Sequence, residues 1–146
     1  MHIMARYPAE HKGETRRRIL EASDALMKDR GVEAASVEAV MRRAGLTVGG
    51  FYAHFASKDE LASETLLFGL ERSFARMLAR LEARTGPDRL RGLIRDYLAQ
   101  ADDPDFAHAC PMTLVLADVA RADDASKTRF AGLTRAMLVR VAKHFP

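Results

Sequence analysis

Apolar residues recur at helical spacing along nearly the whole chain, and no segment keeps the strict alternation of a half-buried strand. The pattern predicts an all-α protein. The start, Met1 to Gly13, is polar with Pro8 and mixed charge, and reads as a loose arm. A first helix is expected from about Thr15 to Arg30, with Ile19, Ala22 and Leu26 as its buried stripe, Leu20 and Met27 beside them, and Gly31 as its C-terminal cap. A short second helix opens at Ser36, whose hydroxyl can accept an orphan backbone N–H, and carries Val37, Val40, Met41 and Ala44 on one side until Gly45 ends it.

The third helix is expected over Val48 to Phe55, with Thr47 in the capping position. Then SKDE offers the reciprocal pairing of Ser57 with Glu60 that starts a helix firmly. This fourth helix is long: its stripe of Leu61, Thr65, Phe68, Phe74, Leu78 and Leu81 continues to about Arg84, where Gly86 and Pro87 stop it. Three more helices follow, at Asp88 to Gln100, at Pro111 to Arg121 with proline in the favoured first position, and at Ala125 to His144. No internal repeat and no low-complexity segment interrupts them.

The totals constrain function only loosely. A chain of 146 residues with 48% hydrophobic and 29% charged residues is one soluble domain, or a small module of something larger, with enough length to bury a core. A net charge of +3 permits a nucleic-acid partner without demanding one, because 23 basic residues face 20 acidic ones. The single Cys110 excludes an internal disulfide framework and fits a reducing compartment. No apolar run reaches the roughly 18 residues that span a bilayer, and the N-terminus lacks the apolar core of a signal peptide, so the cytoplasm is the expected location.

Local pattern is more specific. Two short helices joined by AlaGlyLeuThr, with Gly45 at the bend, form the signature of a helix-turn-helix, whose second helix enters the DNA major groove. Val48 to Phe55 is then the recognition helix, with Phe51 and Phe55 packing inward over Leu46. Gly49 and Gly50 each cost about 1 kcal/mol relative to alanine inside a helix. The compensation is access, since a bare backbone can approach the bases closely. Arg16 and Arg17, before the body of helix one, are candidates for phosphate or minor-groove contact.

The run TVGGFYAHFASKDEL resembles the recognition helix and following cap of the tetracycline-repressor family of transcriptional regulators, and TRRRILEASDALMKDRGVEAASVEAVMRRAGL resembles that family's first two helices. The resemblance covers about Gly13 to Glu71; CPMTLVLADVAR is similar, less distinctively, to a segment of some members' ligand domains. It implies that Val48, Gly49 and Gly50 lie against base edges, with Thr47 among the DNA-binding residues. It also implies that Tyr52 and His54 touch the DNA backbone, Lys58 reaches a phosphate, and Ser36 and Val37 approach another at the start of helix two. The implied layout is an arm at 1–13, a DNA-binding domain at 14–57 and a helical regulatory domain at 58–146. In the last, Phe68, Phe74, Met77, Tyr97, Phe106, Met112, Leu116 and Phe130 are candidate walls of an inducer cavity. Members usually continue for two further long helices that form a dimer interface, whereas this chain stops at HFP.

The expected function is therefore a homodimeric, ligand-released repressor of a palindromic operator, without metal or cofactor. The alternative is a truncated or dimerisation-deficient helical interaction protein that keeps the fold without operator binding. Other readings are weaker. Catalysis would have to recruit Cys110 with His108, which lack a third orienting partner, or use Gly49 and Gly50 as a phosphate cradle without a GxxxxGK pattern. Arg42 and Arg43 read as a solvated helix end, Cys110 as a small buried residue ahead of a redox sensor, and each candidate wall residue individually as core.

Overall fold

The computed structural model describes residues 6–30, 35–101 and 119–145, with side chains for 11–30, 35–99 and 119–145. The fold is all-α, with α1 at Arg6–Arg30, α2 at Val37–Arg43, a 3-10 helix at Val48–Ala53, α3 at Lys58–Glu82, α4 at Asp88–Ala101 and α5 at Asp124–Ala142. No strand occurs among the described residues, and no helix among them is long and apolar enough to cross a membrane. Gly31, the expected cap of the first helix, and all but 119–121 of the expected helix from Pro111 to Arg121 lie outside the described residues. Residues 119–121 are helical.

The loose arm is corrected at its C-terminal half, because α1 begins at Arg6 rather than Thr15. Pro8 is the third residue of that helix, and first-turn N–H groups have no intrahelical acceptor, so a missing donor there costs nothing. Lys28 and Arg30 occupy the last turn, where the helix dipole favours cations.

Helix α2 is short and tightly closed at both ends. The Ala39 N–H donates to Ser36 Oγ at 3.2 Å, the cap expected from sequence. At the other end Gly45 N–H donates to Arg42 O at 3.1 Å and Leu46 N–H to Met41 O at 2.9 Å, the paired bonds of a Schellman turn. Gly45 adopts φ +68°, and a side chain there would be strained as well as crowding Arg18 Nη2 at 3.3 Å. Arg18 itself reaches from α1 to donate to Ala44 O at 2.6 Å.

The expected α-helix from Val48 to Phe55 is instead a 3-10 helix that ends at Ala53. Gly50 N–H bonds to Thr47 O at 3.1 Å and His54 N–H to Phe51 O at 2.9 Å, both three residues apart. Thr47 has the extended backbone of a cap but its side chain makes no capping bond. Phe55 N–H also reaches Phe51 O at 3.1 Å, a single i→i+4 bond at the far end, but six residues with two adjacent glycines lack the length and propensity to sustain a run of such bonds, and short 3-10 turns are the common outcome.

The box opening α3 closes differently from expectation. Glu60 N–H donates to Ser57 Oγ at 3.0 Å, but the Glu60 carboxylate accepts from Ala56 N–H, at 2.6 Å, one residue earlier than the usual partner.

Residues 1–65 and 66–146 form two compact units. In the first, Ile19, Val40, Met41, Phe51, Phe55 and Leu61 are buried, and the buried Ser23 and Thr65 hydroxyls bond to each other at 2.9 Å. In the second, Leu70, Phe74 and Met137 form the core, with Met77, Phe130, Leu133 and Val141 packed against it. Arg84 bonds Asp96 through both terminal nitrogens, at 2.9 and 3.1 Å, and holds the Asp96 carboxyl below its ordinary pKa. A Cβ on Gly92 would lie 2.5 Å from Arg84 Nε, so a side chain there would oblige the arginine to move.

Candidate nucleic-acid interface

The 3-10 helix divides sharply by exposure. Phe51 and Phe55 are buried, with ring centroids 5.7 Å apart, and Tyr52 meets Phe51 edge-on at 5.2 Å. On the outside, Tyr52 is 72% exposed and Val48 44%, with Thr47 and Gly49 also exposed. Gly49 has nothing within 4 Å of where a Cβ would stand. Gly50 differs: a Cβ there would meet Thr47 Oγ1 at 3.8 Å and Met41 Cε at 3.9 Å, so its missing side chain faces inward.

The other expected contact residues are placed as follows. Lys58 is exposed at the first position of α3, and Ser36 and Val37 are half-buried at the start of α2. Arg42 and Arg43 are exposed at the end of α2, where the dipole favours them. Arg17 is bound on its own helix, to Glu14 at 2.7 Å and to Glu21 at 2.5 Å. Arg16 is turned inward, with its guanidinium 4.0 Å above the Phe55 ring and an N–H donated to the His54 carbonyl.

His54 is half-buried, and its Nδ1 is buried without a hydrogen-bond partner. Burial, then the charges of Lys12 and Arg16, push its pKa below the ordinary value of 6.5. The ring is thus neutral at neutral pH. A histidine with a depressed folded pKa binds its proton first in the unfolded chain, so stability is full above pH 6.5 and declines as pH falls through the folded value. His54→Gln is expected to flatten that decline. Urea midpoints measured from pH 8 to pH 5 check it, and equal slopes in both chains would contradict the assignment.

Of the eight candidate cavity residues, Phe74 is buried and Met77 and Phe130 pack against the same core, Phe68 is half-buried, and Tyr97 is half exposed on α4. Phe106, Met112 and Leu116, with His108 and Cys110, lie outside the described residues. An open depression on α4 is lined by Arg91, Ile94, Arg95, Leu98 and Ala99, none of them among the eight. No group of three or more potential metal ligands occurs among the described residues.

Sequence reasoning missed Arg18 as a brace for the turn and missed the bond from Arg16 to the His54 carbonyl. No local signal could have found either bond, because the partners lie 26 and 38 residues away.

Comparison with known proteins agrees with the all-α helix-turn-helix fold. Residues 19–65 match the family described as bacterial regulatory proteins, tetR family. The chain is 34% identical over 92 residues to the HTH-type transcriptional repressor KstR2 of Mycobacterium tuberculosis, covering 62% of this chain and 44% of that one. It therefore spans less than half the length of that relative. It is 31% identical over 127 residues to the HTH-type transcriptional regulator TtgW of Pseudomonas putida, covering 68% of this chain and 95% of that one. The crystal structure of SCO7518 from Streptomyces coelicolor A3(2) shares the fold, with a TM-score of 0.71 at 23% identity over 90% of this chain and 76% of that chain. The chain belongs to the tetR family of bacterial regulatory proteins.

Proposed function

We propose that the chain is a DNA-binding transcriptional repressor that lays its 3-10 helix, Val48–Ala53, into the major groove of an operator. One observation carries the reading: the outward face of this helix, Val48, Gly49 and Tyr52, is exposed, while Phe51 anchors the other side in the core. Val48 offers an apolar contact suited to a thymine methyl, and Gly49 a backbone able to come close to base edges. Tyr52, the neutral His54, Lys58 and the start of α2 at Ser36 and Val37 supply contacts to phosphate that position without reading sequence.

Homodimerisation and a small-molecule inducer complete the proposal. A single helix-turn-helix reads one half-site and neutralises few phosphates, whereas two copies read a palindrome at a spacing set by their symmetry. A ligand in the second unit releases the operator only if it binds better to the conformation with the wrong spacing. Helix α3 begins in the first unit and ends in the second, which makes it the element through which such a shift would pass.

Selection of bound duplexes from a random DNA pool tests the proposal. A recovered palindrome with fixed half-site spacing, and affinity that falls with salt, is the expected result. Binding without sequence preference, or none, would sink it.

The two glycines then separate. Alanine at either position is expected to stabilise the unit slightly, by about 0.5 kcal/mol, because the conformation is open to alanine and the unfolded chain loses freedom. Only Gly49→Ala is expected to weaken operator binding, roughly tenfold, since its methyl would stand between backbone and base. Gly50→Ala points its methyl at Met41 and keeps affinity. Melting curves and fluorescence anisotropy on the selected duplex measure both.

A further inference from the structure

We propose that Arg16 is a positioning residue for the reading helix, acting from inside the unit and not as a contact to DNA. The inference rests on the proposed function and goes beyond it by assigning a residue that touches no base or phosphate.

Arg16 lies on α1, remote in sequence from the 3-10 helix, yet it meets the residues just after that helix in two ways and the start of α3 in a third. Its Nη1 donates to the His54 carbonyl, immediately after the last 3-10 residue. Its guanidinium carbon sits 4.0 Å above the Phe55 ring, which also stacks with Phe51. Its Nη2 faces Glu60 Oε1 at 3.8 Å and Glu64 Oε2 at 3.5 Å on α3. One planar cation thereby ties α1, the end of the 3-10 helix and the start of α3 together.

The physical need for such a tie is plain in the helix itself. It has six residues, contains two adjacent glycines, and lacks a side-chain cap at Thr47, so its own bonds hold it weakly. Its N-terminal end follows the Schellman turn at Gly45, which Arg18 braces through the Ala44 carbonyl. Arg16 does the corresponding work at the C-terminal end. Guanidinium is suited to it and ammonium is not, because only the planar fork can lie over an aromatic face while one nitrogen donates to a carbonyl and another faces two carboxylates. With one nitrogen bonded to the His54 carbonyl and another facing the Glu60 and Glu64 carboxylates, Arg16 is badly placed to neutralise phosphate.

The two roles leave different signatures in the salt dependence of binding. A lost phosphate contact lowers the slope of log affinity against log salt by about one, whereas a mispositioned reading helix weakens specific binding with the slope kept. The probe is the duplex recovered by selection with the wild-type chain, compared with a scrambled duplex of equal length. Arg16→Ala and Arg16→Lys are both expected to lose about tenfold or more in affinity for the selected duplex, the scale of a charge-assisted hydrogen bond. Affinity for the scrambled duplex and the salt slope are expected to stay as in wild type, at a temperature where circular dichroism shows each variant folded. If Arg16→Ala does not fold, Arg16→Lys carries the test. Wild-type affinity in the lysine variant, or a slope lowered by about one in the alanine variant, overturns the proposal. A wild-type chain without sequence preference overturns the repressor reading and this one with it, whereas a binding wild type with an unimpaired lysine variant overturns this one alone.

Discussion

Phe51→Ala is expected to destabilise the first unit by about 3–5 kcal/mol, the cost of emptying an aromatic site in a closed core. Phe51 is fully buried and touches two other rings, Phe55 in a stack and Tyr52 at an edge, so little can collapse into the space. Domain stabilities are typically about 5–15 kcal/mol, which makes this loss a large fraction of the total. Operator binding should fail with it. Tyr52→Ala, at an exposed ring next door, is expected to leave stability within about 0.5 kcal/mol while still weakening DNA binding. Urea denaturation of both variants beside anisotropy titrations separates fold from contact. A Phe51→Ala chain as stable as wild type would show that the helix is not anchored as described.

The second large effect lies in a pair of hydroxyls. Thr65 Oγ1 is 2.7 Å from the Leu61 carbonyl and 2.9 Å from Ser23 Oγ, and both residues are buried. Thr65 has one hydroxyl proton and cannot serve both acceptors. When it goes to the Leu61 carbonyl, Ser23 donates to Thr65 in turn. Thr65→Val keeps the shape and leaves the Ser23 hydroxyl buried without an acceptor, so a loss of about 1–3 kcal/mol is expected. Adding Ser23→Ala removes the orphan, and the double variant should recover most of that loss. A double-mutant cycle in urea measures the coupling, which should be clearly non-additive because the two groups are in contact. Additive losses would mean that the pair does not bond across α1 and α3.

Much of the architecture was legible in the chain because its determinants are local. Ser36 caps α2, Gly45 turns it, Ser57 opens α3 and Gly86, at φ +57°, follows its end, each as the residue type requires. The inward pair Phe51 and Phe55 followed from spacing alone. The candidate surface was legible for the same reason: with those rings buried, Val48, Gly49 and Tyr52 are left on the outside. Gly50 was the exception, since which way a missing side chain would point depends on Met41, which reaches it from α2.

The sequence by itself determined the helical class, the turn between α2 and the reading helix, and the sorting of aromatics inward, because periodicity and capping act within about four residues. The tertiary structure decided whether the reading helix is α or 3-10, where α1 begins, and which carbonyls Arg16 and Arg18 reach. Arg16 and Arg18 look alike in the run of three arginines, and only the folded unit gives each its carbonyl, at His54 and at Ala44. A cation's partner is settled by what packing brings within about 4 Å of it, and the partners here come from the far side of a turn that sequence spacing does not measure.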